Sequence, residues 1–66
     1  MTLTTFMKQC KPGNRVHNKS KKEEGTVVKI SRGRSKALVQ YENGSAEWNE
    51  YYLLDFLEPN EDVSHG

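Results

Sequence analysis

The dipeptide Asn43-Gly44 constrains the fold of this chain more than any other feature of its sequence. It lies between two β-prone runs, 36–42 and 46–49, and Asn-Gly in that setting is the strongest short-range signal for a β-hairpin. A further β-prone run, 26–31, precedes them and is joined by the basic turn Ser31-Arg-Gly-Arg-Ser35. The centre of the chain is therefore predicted to be a meander of antiparallel strands.

Shorter elements are predicted on both sides of this meander. A first strand covers 15–18, and the polar stretch 18–24 forms an exposed loop because it has no apolar residue to anchor it. Residues 50–54 are too few for a stable α-helix and suit one 3-10 turn. A last strand over 55–58 ends at Pro59, which cannot donate to a sheet. The fold class that follows is all-β, a sandwich or small barrel of five short strands.

The two-residue period of a strand assigns side chains to faces. In the second strand it places Val28 and Ile30 on one face and Val27 on the other. Gly25, which ends the polar loop, is predicted to mark a bulge or a position of positive φ. In the third strand the residues that share one face are Ala37, Val39 and Tyr41.

At 66 residues the chain is long enough for one domain. We expect an N-terminal tail or extra strand over 1–11, the folded unit over 12–59 and a disordered C-terminal tail over 60–66. The hydrophobic fraction is 33%, which leaves only a small core. Either the ends are unstructured or the protein oligomerises to bury more surface, and the sequence favours the first alternative and a monomer.

Cys10 is the only cysteine, so no internal disulfide is expected and a reducing, cytoplasmic location is favoured. The apolar runs are far shorter than the ~20 residues of a membrane span, and no signal-peptide pattern is present. His17, His65 and Cys10 have none of the spacings that hold zinc, so neither a metal nor a cofactor is expected. Packing is the role expected for Cys10, and a surface position for His17.

Charge is divided sharply along the chain, although the net charge is only +1. All ten Lys and Arg residues lie within 1–36, whereas seven of the nine Asp and Glu residues lie within 37–66. The basic half suits an anionic partner, either nucleic acid or an acidic protein surface. Alternatively, the two halves pair across the fold and keep a small protein soluble.

The order of these motifs resembles that of SH3-like small β-barrels of the Tudor and KOW kind. The motifs are Gly13-x-Arg-Val16, Gly25-Thr-Val-Val, Ala37-Leu-Val-Gln-Tyr-Glu-Asn-Gly44, Glu47-Trp48, Tyr52-Leu-Leu and Phe56-Leu-Glu-Pro59. The resemblance covers roughly 13–58 and implies a five-stranded SH3-like barrel with one 3-10 turn over 12–59. Such barrels bind RNA, DNA, methylated side chains, proline-rich peptides or other proteins, so the resemblance implies a binding module without naming its ligand.

The segment Gly13-Asn-Arg-Val16 with Lys19-Ser20 is also similar to the start of the plasmid-borne type II dihydrofolate reductases. Those tetrameric enzymes use a Val-Gln-Ile-Tyr segment in their fourth strand. Here that strand reads Ala46-Glu-Trp-Asn49, and Val39-Gln-Tyr41 occurs one strand too early. No nucleophile elbow or Gly-rich phosphate loop points to another reaction. We therefore expect a protein that is not an enzyme.

Six cations in two loops are the candidate nucleic-acid-binding residues. In an SH3-like barrel the loops after the first and second strands flank one groove, so the resemblance implies that these cations line it together, with Glu42 at the opposite end. A basic groove beside aromatic residues suits a phosphate backbone with stacked bases. Alternatively, the loops are simply solvated, and Glu23 and Glu24 neutralise the lysines. The six are Lys19, Lys21, Lys22, Arg32, Arg34 and Lys36.

Three aromatic residues, Trp48, Tyr51 and Tyr52, are the candidate partner-binding residues. They either form an exposed platform or close the core, and core packing is the more common position for Trp48 and Phe56. Neighbours in a 3-10 turn cannot both face inward, so one tyrosine of the pair is expected to stay partly exposed. The sequence thus supports a non-catalytic module that binds nucleic acid through basic loops. The alternative is a protein-interaction or accessory subunit that docks through its aromatic surface.

Overall fold

A computed structural model of the protein describes residues 1–57. The C-terminal tail expected over 60–66 and the end of the predicted last strand at Pro59 lie outside the described residues. The elements within 1–57 are α1 (Leu3–Gln9), β1 (Arg15–Asn18), β2 (Glu23–Ser31), β3 (Lys36–Tyr41), β4 (Ala46–Glu50), a 3-10 turn (Tyr51–Leu53) and β5 (Leu54–Phe56).

The five strands form one antiparallel sheet in the order β4-β3-β2-β1-β5. Strands β1 to β4 each pair with the next strand along the chain, and β5 returns to pair with β1, where Val16 lies opposite Phe56. The prediction of a mostly-β fold with five strands and one 3-10 turn is confirmed. Within 1–57 the edge strands β4 and β5 do not pair with each other, so the sheet is open and not a closed barrel.

The N-terminal segment forms a helix, not the tail or extra strand expected over 1–11. Thr2 caps α1, because its Oγ1 accepts a hydrogen bond from the backbone N–H of Thr5 at 3.1 Å. Phe6 and Cys10 are four residues apart, so they lie on one side of the helical segment, and both are fully buried. Burial raises the pKa of the Cys10 thiol, while the nearby Arg32 acts in the opposite direction. Cys10 therefore packs in the core, as expected.

The core is formed by one side of α1 and by the facing side of the sheet. The face predicted for β3 is confirmed, because its alternate residues 37, 39 and 41 are all buried. The buried hydrophobic residues are Phe6, Cys10, Val16, Val27, Ala37, Val39, Tyr41 and Leu54.

A β-bulge interrupts the alternation of side chains in β2. Val27 pairs with Val39 and is buried, but the register then shifts before Lys29. The extra residue, Val28, is 37% exposed, and Ile30 returns to pack against the core. The prediction that Val28 and Ile30 share a face was therefore wrong, because one inserted residue reverses the phase of the strand.

Gly25 allows two strands to approach each other closely. It lies directly opposite Tyr41, and its φ is outside the left-handed region. A Cβ at this position would lie 2.6 Å from the backbone oxygen of Gln40 and 2.7 Å from Cγ1 of Val39. The predicted reasons for Gly25, a bulge or a positive φ, were wrong. The glycine is required because no side chain fits between β2 and β3 here.

Two buried amides, those of Asn18 and Asn49, are hydrogen-bonded to the hydroxyl of Tyr41. Asn18 Nδ2 donates to this hydroxyl at 2.9 Å, and Asn49 Nδ2 donates to it at 3.0 Å. Asn18 Oδ1 accepts hydrogen bonds from the backbone N–H groups of Ser20 and Lys21. Buried polar groups need such partners. Here the same bonds connect the loop between β1 and β2 to the core.

The 3-10 turn is hydrogen-bonded to both basic loops. The backbone N–H of Lys19, in the loop between β1 and β2, donates to the oxygen of Leu53 at 2.8 Å. The backbone N–H of Tyr51 donates to the oxygen of Ser35, in the turn between β2 and β3, at 3.1 Å. The turn thus fixes the backbone of each loop at one point.

Candidate functional site

Trp48 lies on the outer face of the sheet, which is opposite to the buried residues of β3. Lys29 of β2, Leu38 of β3 and Trp48 of β4 form one row in register across three strands. Trp48 is 48% exposed, and Val28, next to the row, is also exposed. The expectation that Trp48 packs in the core was therefore wrong. Phe56, for which the same was expected, is partly buried and packs against the core.

The loop between β3 and β4 sets this position of the indole. The backbone N–H of Tyr41 donates to the oxygen of Ser45 at 2.8 Å, so three residues remain between the paired strands. Gly44 adopts a φ of 91°, which glycine tolerates without strain. The resulting register places Trp48 opposite Leu38, on the outer face.

Two hydrogen bonds at Ser35 fix the basic turn between β2 and β3. Its backbone N–H donates to the oxygen of Arg32 at 3.2 Å, and its own oxygen accepts from Tyr51. Ser35 has a φ of 56°, in the left-handed region, which a non-glycine residue adopts only when the surroundings hold it there. Arg34 and Lys36, on either side of Ser35, therefore project from a fixed backbone.

Trp48 and two of the predicted cations line one cavity of about 250 Å³. Its walls are formed by Ser31, Arg34, Lys36 and Trp48. Lys36 is a diagonal neighbour of Trp48 across β3 and β4, and such neighbours are typically about 7–8 Å apart. Among residues 1–57 neither Arg34 nor Lys36 has an ion-pair partner. The basic turn between β2 and β3 and the predicted aromatic residue Trp48 thus meet at one cavity. Arg34 and Lys36 are available to a ligand there.

A carboxylate residue, Glu50, neighbours Lys36 in the sheet without lining this cavity. Glu50 lies directly opposite Lys36 in the sheet, and its side chain accepts a hydrogen bond from the hydroxyl of Tyr52. That hydrogen bond, with the negative charge of Glu50, raises the pKa of Tyr52. Sequence reasoning missed Glu50 and Ser31 as neighbours of the site. Their cross-strand pairing with Lys36 would have revealed them, but only if the register had been known.

Two lysines of the loop between β1 and β2, unlike Arg34 and Lys36, form ion pairs within residues 1–57. Lys21 Nζ forms an ion pair with Glu47 at 3.1 Å and lies 4.7 Å from the centre of the Tyr41 ring. The hydrogen bond to Glu47 raises the pKa of Lys21. Lys19 Nζ lies 3.8 Å from a carboxylate oxygen of Asp55. Two of the three lysines in this loop are thus already paired within the protein.

Lys22, the remaining lysine of the first loop, lines a second, larger cavity of about 390 Å³. Three carboxylate residues dominate its lining, which consists of Lys22, Glu23, Glu24, Tyr41, Glu42 and Asn43. Each of the two cavities is thus lined by cations from only one loop. That all six cations line one groove stays a prediction, because neither cavity is lined by cations of both loops. The expectation that Glu42 lies at the opposite end was wrong, because it lines the same cavity as Lys22 of the first loop. Carboxylates around Lys22 make this cavity unsuitable for phosphate.

The two tyrosines of the 3-10 turn do not join Trp48 in lining the cavity. The Tyr51 ring packs against Phe6, with ring centres 6.0 Å apart, whereas Tyr52 is 52% exposed. The two tyrosine rings contact edge to face at 5.4 Å. The prediction that one of this pair stays exposed is confirmed.

Comparison with known proteins adds no assignment to this geometry. The chain matches no protein-family model, no curated protein and no solved structure. Within the part of the chain that the structure describes, no helix has the length and apolar character needed to cross a membrane, and no group of His, Cys, Asp and Glu is arranged to hold a metal ion. The site is thus defined by its own chemistry: an exposed indole beside cations on the outer face of an antiparallel sheet.

Proposed function

We propose that this protein is a small non-catalytic module that binds nucleic acid through the outer face of β2, β3 and β4. The observation that carries the proposal is the cavity that Arg34, Lys36 and Trp48 line together. Guanidinium and ammonium groups bind phosphate oxygens by charge-assisted hydrogen bonds. A half-exposed indole offers the sequence-tolerant aromatic contact found in proteins that bind single strands.

The absence of ion-pair partners within 1–57 favours Arg34 and Lys36 over the lysines of the first loop as the phosphate-binding cations. Arg34 and Lys36 have no ion-pair partner within 1–57, whereas Lys19 and Lys21 lie next to Asp55 and Glu47. A phosphate that approached the paired lysines would have to compete with a carboxylate already in place. The unpaired cations offer a phosphate more favourable electrostatic interaction.

The order of elements supports membership in the SH3-like class as part of the same proposal. A short strand, a loop, three meander strands, a 3-10 turn and a closing strand follow one another as the resemblance implies. Proteins of that class include nucleic-acid-binding modules.

Protein docking through the same face is the second candidate function. Leu38 and Trp48 pair across β3 and β4 and are partly exposed and exposed, respectively, and the exposed Val28 precedes Lys29, the partner of Leu38 in β2. An apolar group rimmed by charges is typical of an interaction surface. The two candidates differ in their dependence on salt, because only phosphate binding releases many condensed counterions.

Fluorescence anisotropy with short labelled single-stranded and duplex oligonucleotides of DNA and RNA tests the nucleic-acid proposal. Binding is expected to weaken steeply between about 50 mM and 200 mM salt. Arg34→Gln and Lys36→Gln should each reduce the slope of log K against log salt by about one. Lys22→Gln is the matched control and should leave the slope unchanged. If no oligonucleotide binds even at low salt, the proposal is wrong and protein docking takes precedence.

A further inference from the structure

We infer that the ligand of this surface is a single strand, and that one unpaired base stacks on the indole of Trp48 inside the cavity. The neighbouring phosphates then lie against Arg34 and Lys36. This inference depends on the proposed nucleic-acid function, and it specifies which form of nucleic acid the site takes and how.

The exposure of Trp48 carries the first step. The indole is 48% exposed although it sits within β4, which pairs with β3 through Leu38 on one side and forms an edge of the described part of the sheet on the other. A base that stacks on an aromatic ring needs its π-face free. In a duplex those faces are covered by the neighbouring base pairs, and only the edges of the bases face the grooves. An exposed indole therefore discriminates in favour of unpaired bases.

The size of the cavity carries the second step. At about 250 Å³ it is smaller than the roughly 300–1,000 Å³ of sites that enclose drug-sized ligands. A single planar base suits this volume, whereas a duplex touches such a surface only from outside. Arg34 and Lys36 line the same cavity, so a nucleic-acid strand that inserts one base brings its own phosphates to them.

The polar wall of the cavity indicates weak preference for any particular base. Among residues 1–57, Ser31 supplies the only hydroxyl that lines the cavity, and a hydroxyl can donate or accept. Arg34 and Lys36 can only donate, and the phosphates engage them. One adaptable hydroxyl cannot distinguish four bases in the way that fixed bidentate pairs do. The site should therefore bind single strands with little sequence specificity.

The position of Glu50 indicates the path of the bound nucleic-acid strand. Glu50 pairs with Lys36 in the sheet and directly precedes the 3-10 turn, and its carboxylate accepts a hydrogen bond from Tyr52 of that turn. Phosphates are repelled by this carboxylate and attracted toward the basic turn, where Arg34 lies. The nucleic-acid strand is thus expected to cross the cavity on the side away from Glu50.

Intrinsic fluorescence tests the inference directly, because Trp48 is the only tryptophan in the chain. The intact protein is titrated with four probes of equal length: a single strand of mixed sequence, its duplex, an abasic strand with the same phosphates, and inorganic polyphosphate. We expect the single strand to quench or shift Trp48 emission, and the abasic strand and polyphosphate to leave it unchanged. The duplex should bind more weakly and without quenching.

Variants measured by anisotropy provide the second readout. Trp48→Leu should weaken binding of the single strand roughly 5- to 100-fold, as expected for one lost stacking contact, and leave binding of the abasic strand unchanged. Trp48→Phe, which keeps an aromatic face, should recover part of the loss. Tyr52→Leu is the control, since Tyr52 is equally exposed but does not line the cavity. Circular dichroism establishes that each variant is folded.

The outcomes separate this inference from the function on which it depends. Salt-dependent binding with unchanged Trp48 emission, equal affinity for the abasic strand and no effect of Trp48→Leu overturns the stacked base but leaves phosphate binding in place. Tighter binding of the duplex than of the single strand also overturns the inference. Absence of anisotropy change with every probe at low salt overturns the proposed function itself.

Discussion

Asn18 of β1 donates a hydrogen bond from Nδ2 to Oδ1 of Asn49 in β4 at 2.9 Å. Two strands lie between β1 and β4 in the sheet, and neighbouring strands are about 4.8 Å apart, so a flat sheet would separate their backbones by roughly 14 Å. Two asparagine side chains on one face cannot span that distance. The sheet must therefore curl strongly toward the side that carries Tyr41, whose hydroxyl accepts from both amides.

Asn49→Ala is expected to destabilise the protein by about 1–3 kcal/mol, because it leaves the buried amide of Asn18 without one of its acceptors. The free energy of unfolding from urea titration measures the effect. Gln40→Ala, an exposed position on the outer face of β3, is the control and should change stability by less than about 0.5 kcal/mol. Equal stability of the two variants would show that the buried network does not maintain the curl of the sheet.

Gly25→Ala is expected to cost about 1–3 kcal/mol or more, because the added methyl group would lie 2.6 Å from the backbone oxygen of Gln40. Gly33→Ala is the matched control, since a Cβ there meets nothing within 4 Å. Thermal melts of the two variants provide the comparison. A melting temperature for Gly25→Ala as high as that of Gly33→Ala would contradict the close packing of β2 against β3.

Glu50→Gln is expected to tighten binding of single-stranded nucleic acid about two- to five-fold at low salt, because it removes the negative charge of the residue that pairs with Lys36 across β3 and β4. The amide oxygen of glutamine can still accept the hydrogen bond from Tyr52, so the local structure is preserved. The gain should fade as salt increases. Glu42→Gln, which lies at the other cavity, should have no such effect, and an equal gain from both variants would show that only net charge matters.

Acid stability should depend on Asp55. The pKa of its carboxyl is lowered from 3.8, chiefly by a hydrogen bond from the α-amino group of Met1 at 3.0 Å and further by Lys19. A carboxyl whose pKa is lower in the folded state contributes stability above its unfolded pKa, and this contribution is lost as the pH falls through the folded value. The stability gained from Asp55 is thus present at neutral pH and lost below about pH 4.

Asp55→Asn should lower stability at neutral pH and flatten the decline in stability between about pH 5 and pH 2. Urea midpoints across this range measure the difference from the unaltered protein. Glu24→Gln is the control, because within 1–57 the Glu24 carboxylate forms no ion pair. If Asp55→Asn and the unaltered protein lost stability in parallel down to the lowest pH, the ion pair would contribute nothing.

The strands were predictable because their patterns are local. Alternation at 37, 39 and 41 marks the core face of β3, and the residues that end each strand are adjacent to it in the sequence. Helix α1 was not predictable in the same way. Its threonines favour extended structure, and the features that make it a helix are a single cap at Thr2 and one buried pair, Phe6 and Cys10. Such a short helix is stabilised by packing that sequence alone does not show.

The candidate site was only half predictable, because it depends on one residue of register. The two-residue loop that Asn-Gly commonly forms would place Trp48 opposite Val39, on the core face. The observed three-residue loop places it opposite Leu38 instead, which turns the indole outward. Which cations accompany Trp48 follows from the same register. That Arg34 and Lys36 share a cavity with Trp48, whereas Lys21 pairs with Glu47, is a property of the folded sheet.

Val28, the inserted residue of β2, affects the twist of the sheet because it adds one residue to the strand. The chemical nature of its side chain does not matter for this effect. A chain that lacked Val28 would keep Val27, Lys29 and Ile30 on their present faces, since these three alternate correctly once the extra residue is omitted. What the shortened strand would lose is the local twist that a bulge adds. Deletion of this one residue would thus change the curvature of the sheet, and with it the width of the surface beside Trp48, without changing the core.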